Sequence, residues 1–337
     1  MAENKRFFYG WLILLTCILI MGLGYAPLVS CASLFTKPVT EDLGFTRSGY
    51  ALVSTIAALM MAFMSPFIGK IMSKPYMHKA LVVCMIGNCL AYYCYSFAST
   101  LPQFYVTAAC IGFFECGSTM IPVSVLITNW FRKKRGLVMS IAMVGSSIGG
   151  TILSPIIGNL IASQGWRFTY KAVGITRLVI LVPLVLLVIR RTPADMGTKA
   201  YGADEEGETG KARKTEREWN VSLKEVKKKP MFWCFVLGCT LISATAAVIT
   251  QIPASVMDAG YATTTAASIA SLYLFIAIPG KLVLGHIYDR YGVKAGILFG
   301  NTMFFLSVIC LIFIKHQPFL YLMAILFGFG TCIGTVS

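Results

Sequence analysis

Residues 10–35 read GWLILLTCILIMGLGYAPLVSCASLF, a run of 26 side chains with no charge among them. An α-helix needs about 20 apolar residues to cross a hydrocarbon core of about 30 Å, and in lipid only a helix or a closed barrel satisfies every backbone polar group. The run is therefore read as a membrane-spanning helix. It is too long for a signal peptide and has no small-residue cleavage site after it. Working outward, similar runs follow at about Gly49 to Ile71, Lys79 to Ala98, Gln103 to Trp130, Gly136 to Ala162 and Phe168 to Ile189. Four more come after a charged interval, at Met231 to Met257, Ala266 to Ile287, Lys294 to Ile314 and Pro318 to Ser337. The fold class is an all-α polytopic membrane protein.

Composition agrees. Of 337 residues, 57% are hydrophobic and 13% charged, against about a quarter charged in an ordinary soluble domain. The net charge of +15 would suit a polyanionic partner, but the positions of the charges argue otherwise. With the amino terminus in the cytoplasm, 22 of the 29 Lys and Arg fall in cytoplasmic segments, among them Lys5, Arg6, Lys70, Lys74 and Arg132 to Arg135. The outer loops hold five: Lys37, Arg47, Arg167, Lys171 and Lys315. This is the positive-inside asymmetry. It orients the chain in the plasma membrane and leaves no call for nucleic acid. All eleven cysteines lie in apolar runs with no CxxC or Cys/His cluster of metal spacing, so they read as small packing residues.

The interval Arg190 to Pro230 carries eight of the fourteen acidic residues and little to bury. It divides the chain into an N-terminal six-helix bundle (1–190), a cytoplasmic charged linker (191–230) and a four-helix C-terminal part (231–337). The linker's centre, Ala203 to Thr215, is expected to be mobile, and Val221 to Lys229 to form a short amphipathic helix on the membrane. Six spans, a long loop and a second set suggest a duplicated transporter built as two halves around a midplane site. A second half of six would need two further spans, so the chain is read as carrying about 10 of 12, a fragment or a truncated product.

Two motifs name the family. Gly285-His286-Ile287-Tyr288-Asp289-Arg290-Tyr291-Gly292-Val293-Lys294 resembles the GxxxDRxGxK loop signature of the major facilitator superfamily. Gly285 would permit close helix approach, Asp289 would face a helix amino terminus, Arg290 would pair across the cytoplasmic gate, and Gly292 completes the loop. Its counterpart Gly69 to Lys74 lacks the acid and the Asp-Arg pair. Residues 130–149, WFRKKRGLVMSIAMVGSSIG, resemble the fifth-span pattern of monocarboxylate transporters and bacterial oxalate/formate antiporters. Gly145 and Gly149 belong to that pattern, while Ser146, Gly150, Ser154 and Gly158 recur every four residues as one small face for helix contact, with a kink at Pro155. Tyr9-Gly10-Trp11, Thr192 to Gly197 and Pro230 to Trp233 agree with the same branch and extend the resemblance over nearly the whole chain.

Charges inside apolar spans cost several kcal/mol unless they face a cavity or a partner, and there are three. Lys281 follows Pro279 and Gly280, about 9 Å above the cytoplasmic end of its span. By resemblance it stands where the family places an arginine that binds the substrate carboxylate; lysine keeps the charge and loses the bidentate fork. The plainer alternative is a lysine snorkelling to the cytoplasm. Glu115, mid-span four, could carry a proton or balance Lys281, or be a neutral structural acid. Arg177, mid-span six, falls on a helix that is peripheral in the superfamily. Tyr25 and Tyr273 could offer hydroxyls to a small anion, though most tyrosines in apolar helices only pack. The family's second cationic contact belongs to an eleventh span, which this sequence does not include.

The resemblance thus implies a secondary transporter, symporter or antiporter, of small mono- or dicarboxylates by alternating access, with no cofactor and no obligate protein partner. No GxxxxGK[ST], HExxH or GxSxG occurs, which argues against ATP use and against a membrane enzyme. The alternatives are a transporter of another small solute, or a non-transporting remnant or sensor.

Overall fold

The computed structural model describes residues 8–202, 230–234, 237–238, 256, 259–261, 263–314 and 316–332. The linker centre, the Val221 to Lys229 segment and most of the seventh span lie outside these. The chain forms two compact units, Met1–Tyr201 and Gly202–Ser337.

In the first unit the opening run is helical well beyond Phe35. Helix α1 (Gly10–Leu19) passes into a π-helical turn (Ile20–Tyr25), then α2 (Ala26–Val29) and α3 (Ser33–Leu43). Gly44 ends α3 in the left-handed conformation, φ 67°, which a residue without Cβ adopts at little cost. Helix α4 (Arg47–Met72) starts where the Thr46 hydroxyl accepts from the Gly49 N–H at 3.1 Å. It is followed by α5 (Met77–Cys94) and by α6 (Leu101–Ser118), which opens on a Thr100/Gln103 capping box. The fourth span breaks once, at Thr119 (φ −123°, ψ −100°), before α7 (Met120–Trp130).

Helix α8 (Arg135–Val188) has 54 residues, far more than one crossing needs, and holds both the fifth and sixth spans. Its one non-helical residue is Gly165, φ 80° and ψ 166°, which divides it between the two spans. Pro155 stays within helical backbone. Among the described residues, seven helical stretches are long and apolar enough to cross a membrane, α8 counted once.

Glycine sets the packing of α1 on α8. A Cβ at Gly145 would fall 2.2 Å from Ile18 O, and one at Gly149 2.3 Å from Gly22 O. At Gly158 it would meet nothing within 4 Å. The close helix contact therefore runs along Gly145 and Gly149. On the adjoining Ser146-Gly150-Ser154-Gly158 face, turned by about 100°, Gly158 meets open space. Ser154 does reach the neighbouring chain, with its Oγ 3.4 Å from Cys31 Sγ.

Two aromatic groups cap this unit. Phe35 stacks on Tyr170 at 4.0 Å beside Tyr92, Tyr95, Phe104 and Trp166, and Trp166 Nε1 donates to Asp42 Oδ2 at 3.0 Å. At the basic ends of the helices Phe8, Tyr9, Trp11, Trp130, Phe131 and Tyr201 form the second. Such belts suit the two interfaces of a bilayer. The chain beyond α8 is docked there: Trp130 Nε1 donates to Arg190 O at 2.9 Å, and Tyr201 N to Trp130 O at 2.9 Å.

In the second unit α9 (Thr263–Tyr291), α10 (Val293–Ile312) and α11 (Gln317–Gly330) pack on one another. Residues 288–291, expected between two spans, are helical; the turn is confined to Gly292, φ 84°. Gly280 and Gly328 bring α9 and α11 together, a Cβ at Gly280 falling 3.2 Å from Gly328 O and one at Gly328 2.9 Å from Tyr273 O.

Candidate functional site

Arg177 is the most heavily buried charge in the first unit, 1% exposed near the middle of the sixth span. Its Nη2 donates to Gly24 O at 2.9 Å and to Asn88 Oδ1. The guanidinium carbon lies 5.0 Å from the centroid of Tyr92, one turn along α5 from Asn88. The side chain points into the bundle and clamps α8 to α5 and to the π-helical turn. A π turn disrupts the regular i to i−4 ladder and often marks a functional position, and here Gly24 within it supplies a carbonyl to the arginine. Four further polar atoms at this place are buried without a partner: Arg177 Nε and Nη1, Asn88 Nδ2 and Tyr92 Oη. Unmet donors are costly in an apolar core, so this cluster is held by the surrounding packing.

Glu115 is 7% exposed on α6, three residues before the end of that helix. It lies within electrostatic reach of Arg177, Tyr25 and Tyr95, and neighbours Cys116, without forming a contact ion pair with the arginine. Three of the five residues singled out from sequence, Tyr25, Glu115 and Arg177, therefore come together in the first unit. Asn88 is a member that sequence reading missed. Its signal was available, as the single amide in the apolar run of α5.

Lys281 and Tyr273 belong to the second unit. Lys281 is 4% exposed, which sets aside a lysine snorkelling into water. It lies beside Cys332, at the level where α9 and α11 approach through Gly280. Tyr273 sits two turns earlier in an apolar cluster with Cys310, Leu320, Met323 and Phe327, its ring edge-on to Phe327 at 5.4 Å. That is the environment of a packing residue. In the loop signature Gly285 and Leu284 are buried, Asp289 is exposed, and Arg290 lies 5.5 Å from the Tyr291 ring.

Comparison with known proteins supplies the relationship. The sequence model of the family described as Major Facilitator Superfamily matches residues 12–337. Human monocarboxylate transporter 2 is 23% identical over 229 residues, 67% of this chain and 45% of that protein. The MFS-type transporter pytF of Aspergillus terreus is 26% identical over 209 residues, 62% of each chain. The chain thus spans less than two thirds of the length of these relatives. Among solved structures, a bacterial homologue of the human lysosomal transporter Spinster, in an inward-facing and unoccupied conformation, aligns with a TM-score of 0.64 at 17% identity. That alignment covers 99% of this chain and 76% of the other, and shows the fold.

Proposed function

The chain belongs to the major facilitator superfamily, and from that membership we propose that it is a secondary transporter of small organic anions, mono- or dicarboxylates of the lactate, formate or oxalate type. It works by alternating access, the two halves rocking about a site near the bilayer midplane. One observation carries the reading: Lys281 holds a positive charge within an apolar helix almost fully out of solvent, at the position where the resemblance sets a carboxylate-binding cation. Relatives named monocarboxylate transporters agree with an acid as that anion.

Coupling is assigned to the first unit. Glu115 takes up and releases the proton in a symport cycle, and Arg177 stabilises the carboxylate form without capturing it in a contact pair. Tyr25, at the end of the π turn, supplies a hydroxyl beside Glu115. Obligate exchange of one carboxylate for another would instead leave Glu115 a structural acid. The amino terminus is cytoplasmic, the membrane is the plasma membrane, and no cofactor or obligate protein partner enters the cycle.

Flux in proteoliposomes tests the proposal with formate, oxalate, lactate and a neutral sugar. Wild-type protein should show saturable carboxylate uptake, Lys281→Ala should abolish it at unchanged expression, and Lys281→Arg should retain part, since charge is kept while shape changes. Glu115→Gln should flatten the pH dependence of net uptake while sparing exchange. Uptake of a neutral sugar that is indifferent to Lys281→Ala would defeat the carboxylate assignment and leave the family assignment standing.

A further inference from the structure

A cavity of about 370 Å³ opens at the basic end of the first unit, lined by Pro75, His78, Ile189, Arg190, Arg191 and Asp195. It lies between the start of α5 and the chain that leaves α8, away from the cluster around Arg177. Each Arg and His side chain on its wall makes one hydrogen bond and leaves another nitrogen unused. Arg191 Nη2 donates to Ser73 O at 2.9 Å, while its Nε is buried with no partner. Arg190 Nη1 donates to Ile189 O at 3.0 Å, and the rest of its guanidinium is exposed. His78 is held by Nε2, 3.1 Å from Val185 O, which leaves Nδ1 unused.

The lining also holds a carboxylate, but Asp195 is engaged in its own capping box, accepting from Thr192 N at 2.9 Å, and forms no ion pair with either arginine. Two guanidiniums therefore outweigh one acid, and the imidazole adds a hydrogen-bonding group beside them. The amino terminus of α5 adds its dipole at the same wall. Lys74 and Lys79, which flank Pro75 and His78 in the chain, are both exposed and extend the positive field outward. The volume would hold roughly a dozen waters at about 30 Å³ each, more than a bare phosphate requires and enough for a phosphate with its attached head group.

We infer that this cavity binds a phosphate group, presented at the membrane surface by an anionic phospholipid. Planar guanidinium donors match phosphate oxygens, and basic pockets between helix ends at this depth are suited to lipid head groups. A bound head group would also tie the Ser73 to Pro75 turn to the end of α8. Here the acid and the Asp-Arg pair of the loop signature are missing, and Arg191 to Ser73 O is the link that remains.

The test measures binding to the purified full chain in neutral detergent, by native mass spectrometry and by thermal-shift titration. Phosphatidic acid, phosphatidylglycerol, phosphatidylcholine and inorganic phosphate serve as probes. The anionic lipids should bind and raise the melting midpoint, with phosphatidylcholine at least tenfold weaker. Arg191→Gln and Arg190→Gln should each weaken anionic-lipid binding about tenfold, the loss of one charge-assisted contact. Arg190 is exposed, so its variant reports on binding even where Arg191→Gln misfolds. Lys171→Gln, which removes the same charge near the opposite aromatic belt, should bind like the wild type. Saturable binding of inorganic phosphate, lost in both arginine variants, would support the site with a soluble phosphate as its occupant. Equal retention of phosphatidylcholine and the anionic lipids, or wild-type anionic-lipid affinity in Arg190→Gln, would overturn the inference.

Discussion

Gly149→Ala should destabilise the first unit while the chemically identical Gly158→Ala should not. A Cβ at Gly149 would stand 2.3 Å from Gly22 O and 2.5 Å from Gly22 Cα, against the 3.4 Å at which ordinary contact begins. Both obstacles are backbone, so no side chain can rotate away. The helices must separate by about 1 Å or slide, and overpacking of this kind costs about 1–3 kcal/mol. Separation also weakens the dispersion contacts along α1 and α8, the main attraction between helices in lipid. At Gly158 a methyl group enters open space, and alanine is the better helix former by roughly 0.5–1 kcal/mol. The propensity gain is common to both variants, so they should differ by the overpacking cost, about 1–3 kcal/mol, with Gly158→Ala the more stable. Thermal unfolding in detergent followed by far-UV circular dichroism would read the order, and denaturant titration in mixed micelles the size. A Gly149→Ala protein as stable as Gly158→Ala would refute the tight α1 to α8 contact.

Other consequences follow from single interactions. Asn88→Leu removes the acceptor of a buried guanidinium and should cost about 2 kcal/mol, while adding Arg177→Met should recover most of that loss; simple additivity in the double-mutant cycle would show that the two side chains are not coupled. Trp166→Phe deletes the Nε1 bond to Asp42 Oδ2 and should lower stability by about 1 kcal/mol, read in the same unfolding assay, whereas Trp11→Phe, on a half-exposed ring, should be nearly silent. Thr46→Ala removes the cap of α4 and should cost about 1 kcal/mol, with faster hydrogen exchange at residues 47–50 as its local signature. For orientation, single cysteines introduced in a cysteine-depleted background should label from outside at Lys315 and not at Lys211; strong outside labelling at Lys211 would invert the topology.

The length and purity of the apolar runs were enough to specify the helices of the first unit, because in lipid the backbone has no other way to satisfy itself. Boundaries for α4 moved by one or two residues and those of α5 by two and four, and Gly285 to Lys294 carried the family resemblance in sequence alone. Sequence also singled out the buried charges Glu115, Arg177 and Lys281. It could not say which way those charges point. Arg177 was placed on a peripheral helix, yet a helix has two sides, and only the packing of α8 on α5 and on the π turn turned the side chain toward Asn88 and Gly24. The small-residue pattern from 145 to 158 was ambiguous for the same reason: glycines and serines occupy two adjoining faces, and the closest backbone approach, at Gly145 and Gly149, rests on Ile18 and Gly22, more than 120 positions away. The docking of Tyr201 against Trp130 was likewise hidden in a segment whose composition reads as linker, since a single parallel bridge and a few ring contacts leave no periodic trace. Local chemistry along the chain determined which segments enter the membrane and what charge they carry; the neighbour each buried group meets was decided by tertiary packing, because that depends on the rotation of one helix against another.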